Sequence, residues 1–396
     1  MRVLILTSRF PYPLEKGDKL RLFHQIKYLS YSHELVLVSL EAPSSKRDRQ
    51  VMEQYCDRIY SLNQHGIRHW YQALAGLLEG KPLHVGYFLN QKFVPRITEI
   101  IKETTPDHIF CQLIRMAPYL SQIKIPSSID YMDAFSLRME RRAGQIKWLR
   151  WFWNMEARRL RKFEWEIYPD FQHRFIISES DRAYLHSYGL EELILLKNGV
   201  DTHYFNQKTE NNQKAYDLAF VGNMGYFPNI QAAKYLVQRI AKRIKQKKPN
   251  LKVLIAGASP TRSIRALAND WITVTGYMDD IRDAYQSSKI FVAPIFTGSG
   301  LQNKILEAMA MELPCITTSV VQKSIQAPDN LIRIADDPHE FEAHINQFLA
   351  DENLMHRVGI ASRKFVQEQF SWETCCKPLD QLSSLEAVLD YGKDPH

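Results

Sequence analysis

The sequence predicts an α/β protein built from two doubly wound, parallel-sheet domains. Short β-branched runs alternate with longer helical patterns along the whole chain, a rhythm that belongs to βα units and parallel sheets. With 396 residues the chain exceeds the ~250–300 at which a single hydrophobic core stops growing. A polar, apolar-poor segment, Asn206 to Lys214 (NQKTENNQK), is followed at once by an apolar strand, as expected of a linker between two such domains.

Taken in order, the strand signals of the first half are Val3 to Thr7, Leu35 to Ser39, His108 to Cys111 and Phe175 to Ser178. Those of the second are Leu218 to Gly222, Leu251 to Gly257, Ile290 to Ala293 and Pro314 to Thr317. Each half opens with an apolar strand and a Gly/Pro-containing loop, Leu4 to Asp18 and Ala219 to Asn229. The helix after the first loop carries Leu22, Phe23, Ile26 and Leu29 on one face, which marks the side turned inward. Ligands of such sheets lie beyond the carboxyl ends of the strands, so the expected site is the cleft between two facing domains. The expected bounds are 1–205 and 206–370, with 371–396 forming a closing helix that crosses back to the first domain.

Composition narrows the partners. The net charge is +7 and the isoelectric point is near 9.0, so phosphate, an anionic lipid surface or nucleic acid is favoured. Cys56, Cys111, Cys315, Cys375 and Cys376 show no CxxC spacing, which suits a reducing cytoplasm and argues against structural zinc. His65 and His69 stand four apart without a third ligand in view and read as structural. The apolar run before Thr7 is too short for a signal-peptide core. No 18 apolar residues run uninterrupted, so a cytoplasmic protein with at most peripheral membrane contact is expected.

The most informative stretch is Gly298 to Pro314, GSGLQNKILEAMAMELP, after the apolar run Ile290 to Ile295. A strand, a glycine loop and a helix start follow one another, and the free N–H groups and dipole of that helix start favour an anion. Lys304 adds a full charge in the first turn and Glu307 follows one turn later, a pairing suited to a phosphate beside a hydroxylated group. Three familiar motifs fail here. A GxxxxGK[ST] loop would need glycine at Asn303 and a hydroxyl at Ile305. A GxSxG elbow around Ser299 would need glycine at Thr297 and Leu301. GxGxxG breaks at Asn303.

With those elements in place, several motifs resemble the family 4 retaining glycosyltransferases of the GT-B fold, an α/β architecture of two Rossmann-like domains facing each other across a cleft. Leu196 to Phe205 resembles that family's NGVD…F signature, and Phe220 to Gly222 its FVG strand. Gly276 to Tyr285 resembles the loop and helix beside the nucleobase, Pro294 to Pro314 the EAMAxGxP region except at Glu312, and Phe370 to Glu373 the closing FSWE segment. The resemblance implies sugar transfer from a nucleoside diphosphate with retention, no cofactor, no required metal and no dedicated protein base. It places Gly222, Asn223, Gly276, Tyr277, Gly298, Ser299, Gly300, Leu301, Asn303, Lys304 and Glu307 around the donor, with Lys304 near the diphosphate and Glu307 on the ribose. Ser299 stands where the family carries a first glutamate, and the usual Arg and Lys of the first donor loop are replaced by Asn223, Met224, Gly225 and Tyr226. The GSG…NK…EA pattern resembles a bacterial subgroup tied to surface-glycan assembly, so the expected acceptor is a glycan or a polyprenyl-linked glycan.

In the first domain the resemblance brings the Gly17 loop near the reacting centre, with Asp18, Lys19 and Arg21 available to acceptor or phosphates. The alternative makes Asp18 a helix cap and leaves Lys19 and Arg21 solvated. Asp133 in DYMDAF stands near a position where relatives carry a His–Asp pair, Met132 replacing the histidine, and is either an acceptor contact or a loop cap. Asp279 and Asp280 read as caps of the following helix rather than metal ligands. Tyr277 lies against the base or in the core. The basic 138–162 segment, with Trp148, Trp151, Phe152 and Trp153, reads as an interfacial membrane element, or as core tryptophans with solvated arginines. No nucleic-acid signature accompanies it. Lys242 to Lys248 reads as a solvated helix end. The competing functions are a GT-B sugar-nucleotide epimerase, which needs no acceptor, and a catalytically silent scaffold.

Overall fold

The computed structural model describes residues 1–63, 76, 80–145, 147–207, 214–297 and 301–383. Residues 298–300, most of the predicted linker (208–213), and His65 and His69 lie outside them. The chain forms two compact units: Met1–Lys197 with the described residues from Cys376 on, and Asn198–Cys375. The first boundary therefore falls ahead of the polar segment at 206–214.

The first unit holds one parallel sheet of seven strands: β1 (Arg2–Thr7), β2 (Glu34–Ser39), β3 (Arg58–Ser61), β4 (His108–Gln112), β5 (Ser127–Met132), β6 (His173–Ile176) and β7 (Leu193–Leu195). Their spatial order is β3-β2-β1-β4-β5-β6-β7. Val3 to Leu6 and Leu35 to Val38 are fully buried, as expected of strands covered on both faces, and this makes their runs continuously apolar. β3, β5 and β7 carry weaker signals, being half-polar or only three to six residues long. β5 places Asp130 in the core, where Arg21 donates Nε at 2.6 Å and Nη2 at 3.0 Å, and Gln25 donates Nε2 at 2.8 Å.

The second unit repeats the plan with six parallel strands: β8 (Tyr216–Val221), β9 (Val253–Ala256), β10 (Ile272–Val274), β11 (Ser288–Ala293), β12 (Cys315–Thr317) and β13 (Ile332–Ile334). The order is β10-β9-β8-β11-β12-β13. Two distant sequence motifs close this unit on itself. The Val200 N–H donates to the Phe370 carbonyl at 2.7 Å, and Val200 bridges Ser371. Lys242 to Lys248 is the solvated helix end its sequence implied, with Arg243 and Lys247 reaching Glu342 at 3.2 and 2.6 Å from the surface.

Glu312 explains its own departure from the glycine of the EAMAxGxP pattern. The Asn303–Ala310 helix ends in a Schellman turn, with Leu313 N–H on the Ala308 carbonyl and Glu312 N–H on the Met309 carbonyl, both at 3.0 Å, which requires a left-handed residue between them. Glu312 takes that conformation at φ 60, and Gln207 Nε2 at 3.2 Å and Arg363 Nε at 3.8 Å hold its carboxylate. Relief of the left-handed strain outweighs loss of a part-exposed ion pair. Glu312→Gly is therefore expected to stabilise this unit by ~0.5–1 kcal/mol, measured as a rise in its melting temperature, and a fall would contradict it.

Candidate active site

In each sheet the strand order reverses at one point, between β1 and β4 in the first unit and between β8 and β11 in the second. Loops leaving the two strands on either side of such a point part company and leave a crevice, the usual ligand position.

At the second unit's switch point, Gly222 follows β8. A Cβ there would stand 2.8 Å from Asn229 Nδ2 and 3.5 Å from Lys304 Cε, and one on Gly257, which has φ +128, would strike the Gly222 carbonyl at 2.0 Å. Both glycines are thus forced by close approach. The vacated space lets Lys304 Nζ donate to Asn229 Oδ1 at 2.8 Å and Gln302 Oε1 at 3.1 Å. Asn229 is 4% exposed, and its Nδ2 donates to the Asn223 carbonyl at 2.9 Å, while Asn223 Oδ1 accepts from the Gly225 N–H at 2.9 Å. The ammonium of Lys304 is thereby delivered from the helix after β11 to the loop after β8, the loop that lacks the family's Arg and Lys.

Lys304 is half-buried, its ammonium 5.8 Å from the Phe220 ring centroid. Burial pushes its pKa down to about 8 against a smaller opposing pull from Glu307. Three residues on, Glu307 accepts a hydrogen bond from Tyr285 Oη at 2.7 Å. Burial raises the Glu307 pKa, while the Tyr285 hydrogen bond and the Lys304 charge oppose the rise. A neighbouring phosphate would restore the charge on Lys304, and hydroxyl donors would favour the ionised carboxylate of Glu307. Asn303 opens the helix and Leu301 packs against the core of this unit. Gly276 has open space around it, and Tyr277 is 78% exposed, which rules out the core alternative and leaves its ring free to stack. Asp280 accepts from the Arg282 N–H at 3.0 Å and pairs with the Arg282 guanidinium at 2.7 Å, while the N-cap of that helix is Ile281. Gly298, Ser299 and Gly300 lie outside the described residues.

At the first unit's switch point, Gly17 begins its helix, and a Cβ there would lie 3.8 Å from Met132 Cε. The start of that helix and the end of β5, 115 residues apart in sequence number, are thus neighbours. Met132 is left-handed at φ 62. Asp133 lies 3.6 Å from Arg138, and burial raises its pKa against the pull of that guanidinium. The polar residues after Gly17 are committed to the protein. Asp18 takes Arg9 at 2.7 Å and Arg115 at 3.3 Å, and it does not cap the helix, whose N-cap is Lys16. Lys19 is 8% exposed and pairs with Glu41 at 3.4 Å. Arg21 is 0% exposed against Asp130, so it is neither solvated nor open to a phosphate.

Sequence reasoning missed Arg115. Its Nε donates to Ser8 Oγ at 2.8 Å, and its Nη1 lies 3.2 Å from His84 Nε2. Burial, then Arg9, lowers its pKa to about 9. Asn229 and Tyr285 were missed too, the only hint in Asn229 being its place at the end of the first donor loop. The five cysteines are buried and unbridged, and the described residues hold no cluster of His, Cys, Asp and Glu suited to a metal.

Two doubly wound units, with a half-buried lysine at the helix start beside the second switch point, make the architecture GT-B, the fold shared with the solved glycosyltransferases below. Residues 215–351 match the family model described as Glycosyl transferases group 1. A Klebsiella pneumoniae protein described as an uncharacterized 44.6 kDa protein in the cps region is 21% identical over 393 residues, 93% of this chain and 96% of its own. The Staphylococcus aureus capsular polysaccharide biosynthesis glycosyltransferase CapM is 24% identical over 202 residues, 48% of this chain and 51% of CapM. Sucrose-phosphate synthase from Thermosynechococcus elongatus shares the fold at a TM-score of 0.66 and 14% identity, covering 96% of this chain and 98% of that one. Anabaena HepE in complex with UDP does so at 0.67 and 12%, covering 96% and 99%.

Proposed function

We propose that the chain transfers a sugar from a nucleoside-diphosphate sugar, with retention of configuration, to a glycan or lipid-linked acceptor in the assembly of a surface polysaccharide, working at the cytoplasmic face of the membrane without a required metal. The observation that carries this is Lys304 Nζ held 2.8 Å from Asn229 beside Gly222, with Glu307 one turn along the same helix. As the glycosidic bond breaks, charge grows on the departing diphosphate, and a positioned ammonium stabilises the transition state more than the ground state. Glu307, held by Tyr285, accepts from the ribose hydroxyls, and Tyr277 stacks on the base. The capsular context of CapM and of the Klebsiella relative supports the surface-glycan role.

A thermal-shift screen of UDP, GDP, ADP and TDP tests the reading. UDP comes first because solved structures of the similar fold, HepE and TarM, hold it. A nucleotide at 100 times its dissociation constant stabilises by about 2.7 kcal/mol, and a flat response to all four would reject the site. Product analysis then separates transfer from epimerisation, since only transfer releases nucleoside diphosphate in step with a glycosylated acceptor.

The pH dependence follows from Lys304, whose pKa falls from 10.5 to about 8. Between those values the unfolded chain binds more protons than the folded one, so the stability of the nucleotide-free protein rises with pH across that window. Nucleotide binding has the opposite trend because it needs the ammonium. Isothermal titration is expected to show affinity roughly tenfold weaker near pH 9 than near pH 7, and Lys304→Met should remove the difference.

A further inference from the structure

The basic, tryptophan-containing segment forms two packed helices, Phe135–Gln145 and Arg150–Glu166, in the first unit. The second helix buries Glu156, Ala157, Leu160 and Glu164. Diametrically opposite lie Trp151, Arg158, Lys162 and Trp165, spaced 7, 4 and 3 residues apart, a spacing that aligns them in one stripe. Trp151 is 68% and Trp165 59% exposed, so the core alternative fails for both. Trp148, just before the helix, is 79% exposed. Trp153 instead lies under the Arg142 guanidinium, 4.2 Å from its ring centroid.

The stripe has a chemical direction. Two indoles about 21 Å apart, at 1.5 Å per residue, bracket two cations, and Arg150 is also exposed. An open groove beside it is lined by Arg158, Arg161, Lys162, Trp165 and Tyr188, and the Arg161 guanidinium stacks 3.9 Å from the Tyr188 ring centroid. The acidic groups here are engaged by cations, Glu140 with Arg161 and Glu166 with Lys162. Large amphipathic rings flanking long cationic side chains match the interface of a bilayer, where rings sit at headgroup level and cations meet lipid phosphates. No helix of the described residues is long and apolar enough to cross a membrane, so the contact this stripe offers a bilayer is at its surface.

We propose that the outer face of the Arg150–Glu166 helix rests on an anionic lipid bilayer, with Trp151 and Trp165 in the interface and Arg158 and Lys162 on lipid phosphates. This extends the proposed work on a lipid-linked acceptor but rests on different residues from the nucleotide site, so either can fail alone.

The test is co-sedimentation of the full chain with vesicles of equimolar phosphatidylglycerol and phosphatidylcholine, with pure phosphatidylcholine as control. The expected result is binding to the anionic vesicles at low salt, weakened by added salt, with a blue shift of tryptophan emission. Trp151→Ser with Trp165→Ser, and separately Arg158→Glu with Lys162→Glu, should each weaken binding by about tenfold or more, while any nucleotide-induced thermal shift is kept. Absence of binding at low salt, binding unaltered in both double variants, or equal binding to single-stranded RNA lost in the same variants would overturn the proposal. So would a dimer of the wild type that becomes monomeric in the tryptophan variant, since the face would then cover a second copy.

Discussion

Replacing Lys304 by alanine is expected to lower turnover about 100- to 1000-fold, the ~2.7–4 kcal/mol typical of one lost transition-state donor. The structure makes this a test of charge. Lys304 is half-buried and disfavoured in its charged form by that burial, so the fold gains little from the ammonium itself. Its removal leaves Asn229 without one partner but relieves a desolvated charge, and the melting temperature should hardly move. Lys304→Met keeps the aliphatic stem near Gly222 and Phe220 and should be as inactive. Near-wild-type turnover in either variant, with the donor identified, would remove the residue from the mechanism. A large loss of stability in both would show that Lys304 holds the loop together instead.

Asp130→Ala is expected to be the most damaging substitution for stability. Both Asp130 and Arg21 are 0% exposed, and deleting the carboxylate leaves a guanidinium and the Gln25 amide buried without it. Breaking one side of such a pair costs about 3–5 kcal/mol, which for a unit of this size lowers the melting temperature by about 6–20 °C. Calorimetry of the full chain would show the transition of the first unit move and that of the second remain. The double variant Arg21→Met with Asp130→Leu should recover most of the loss, because two apolar side chains remove both desolvation costs together. A shift below about 2 °C for Asp130→Ala would mean that water reaches Arg21.

These two residues also mark how far the sequence could be read. Lys304 was legible because its neighbours along the chain declare its setting: an apolar strand before it, glycines between, and an amphipathic helix after it. Arg21 was not. It follows Gly17 in a loop-to-helix context that looks solvent-facing, and only β5, whose Ser, Asp and Tyr content weakens its strand signal, brings Asp130 beneath it. The same distinction separates the strands. Those buried on both faces by helices read as continuous apolar runs, whereas β10 and β13 are three residues long and lie at the edges of their sheet. Glu312 was visible as a break in a pattern, yet its meaning needed the backbone, since a left-handed φ leaves no trace in residue identity when glycine is absent.

By itself the sequence determined the class of fold, the helix start with its lysine and glutamate, and the basic tryptophan segment, because each depends on interactions within a few residues. Tertiary structure alone decided that Lys304 reaches Asn229 and the Gly222 loop, that Arg9 and Arg115 share Asp18, and that Trp151 and Trp165 face outward while Arg21 faces in. Those outcomes depend on which loops the strand order makes neighbours at a switch point and on which face of a helix the sheet covers. Both are set by the packing of strands and helices far apart in the chain, which local spacing does not encode.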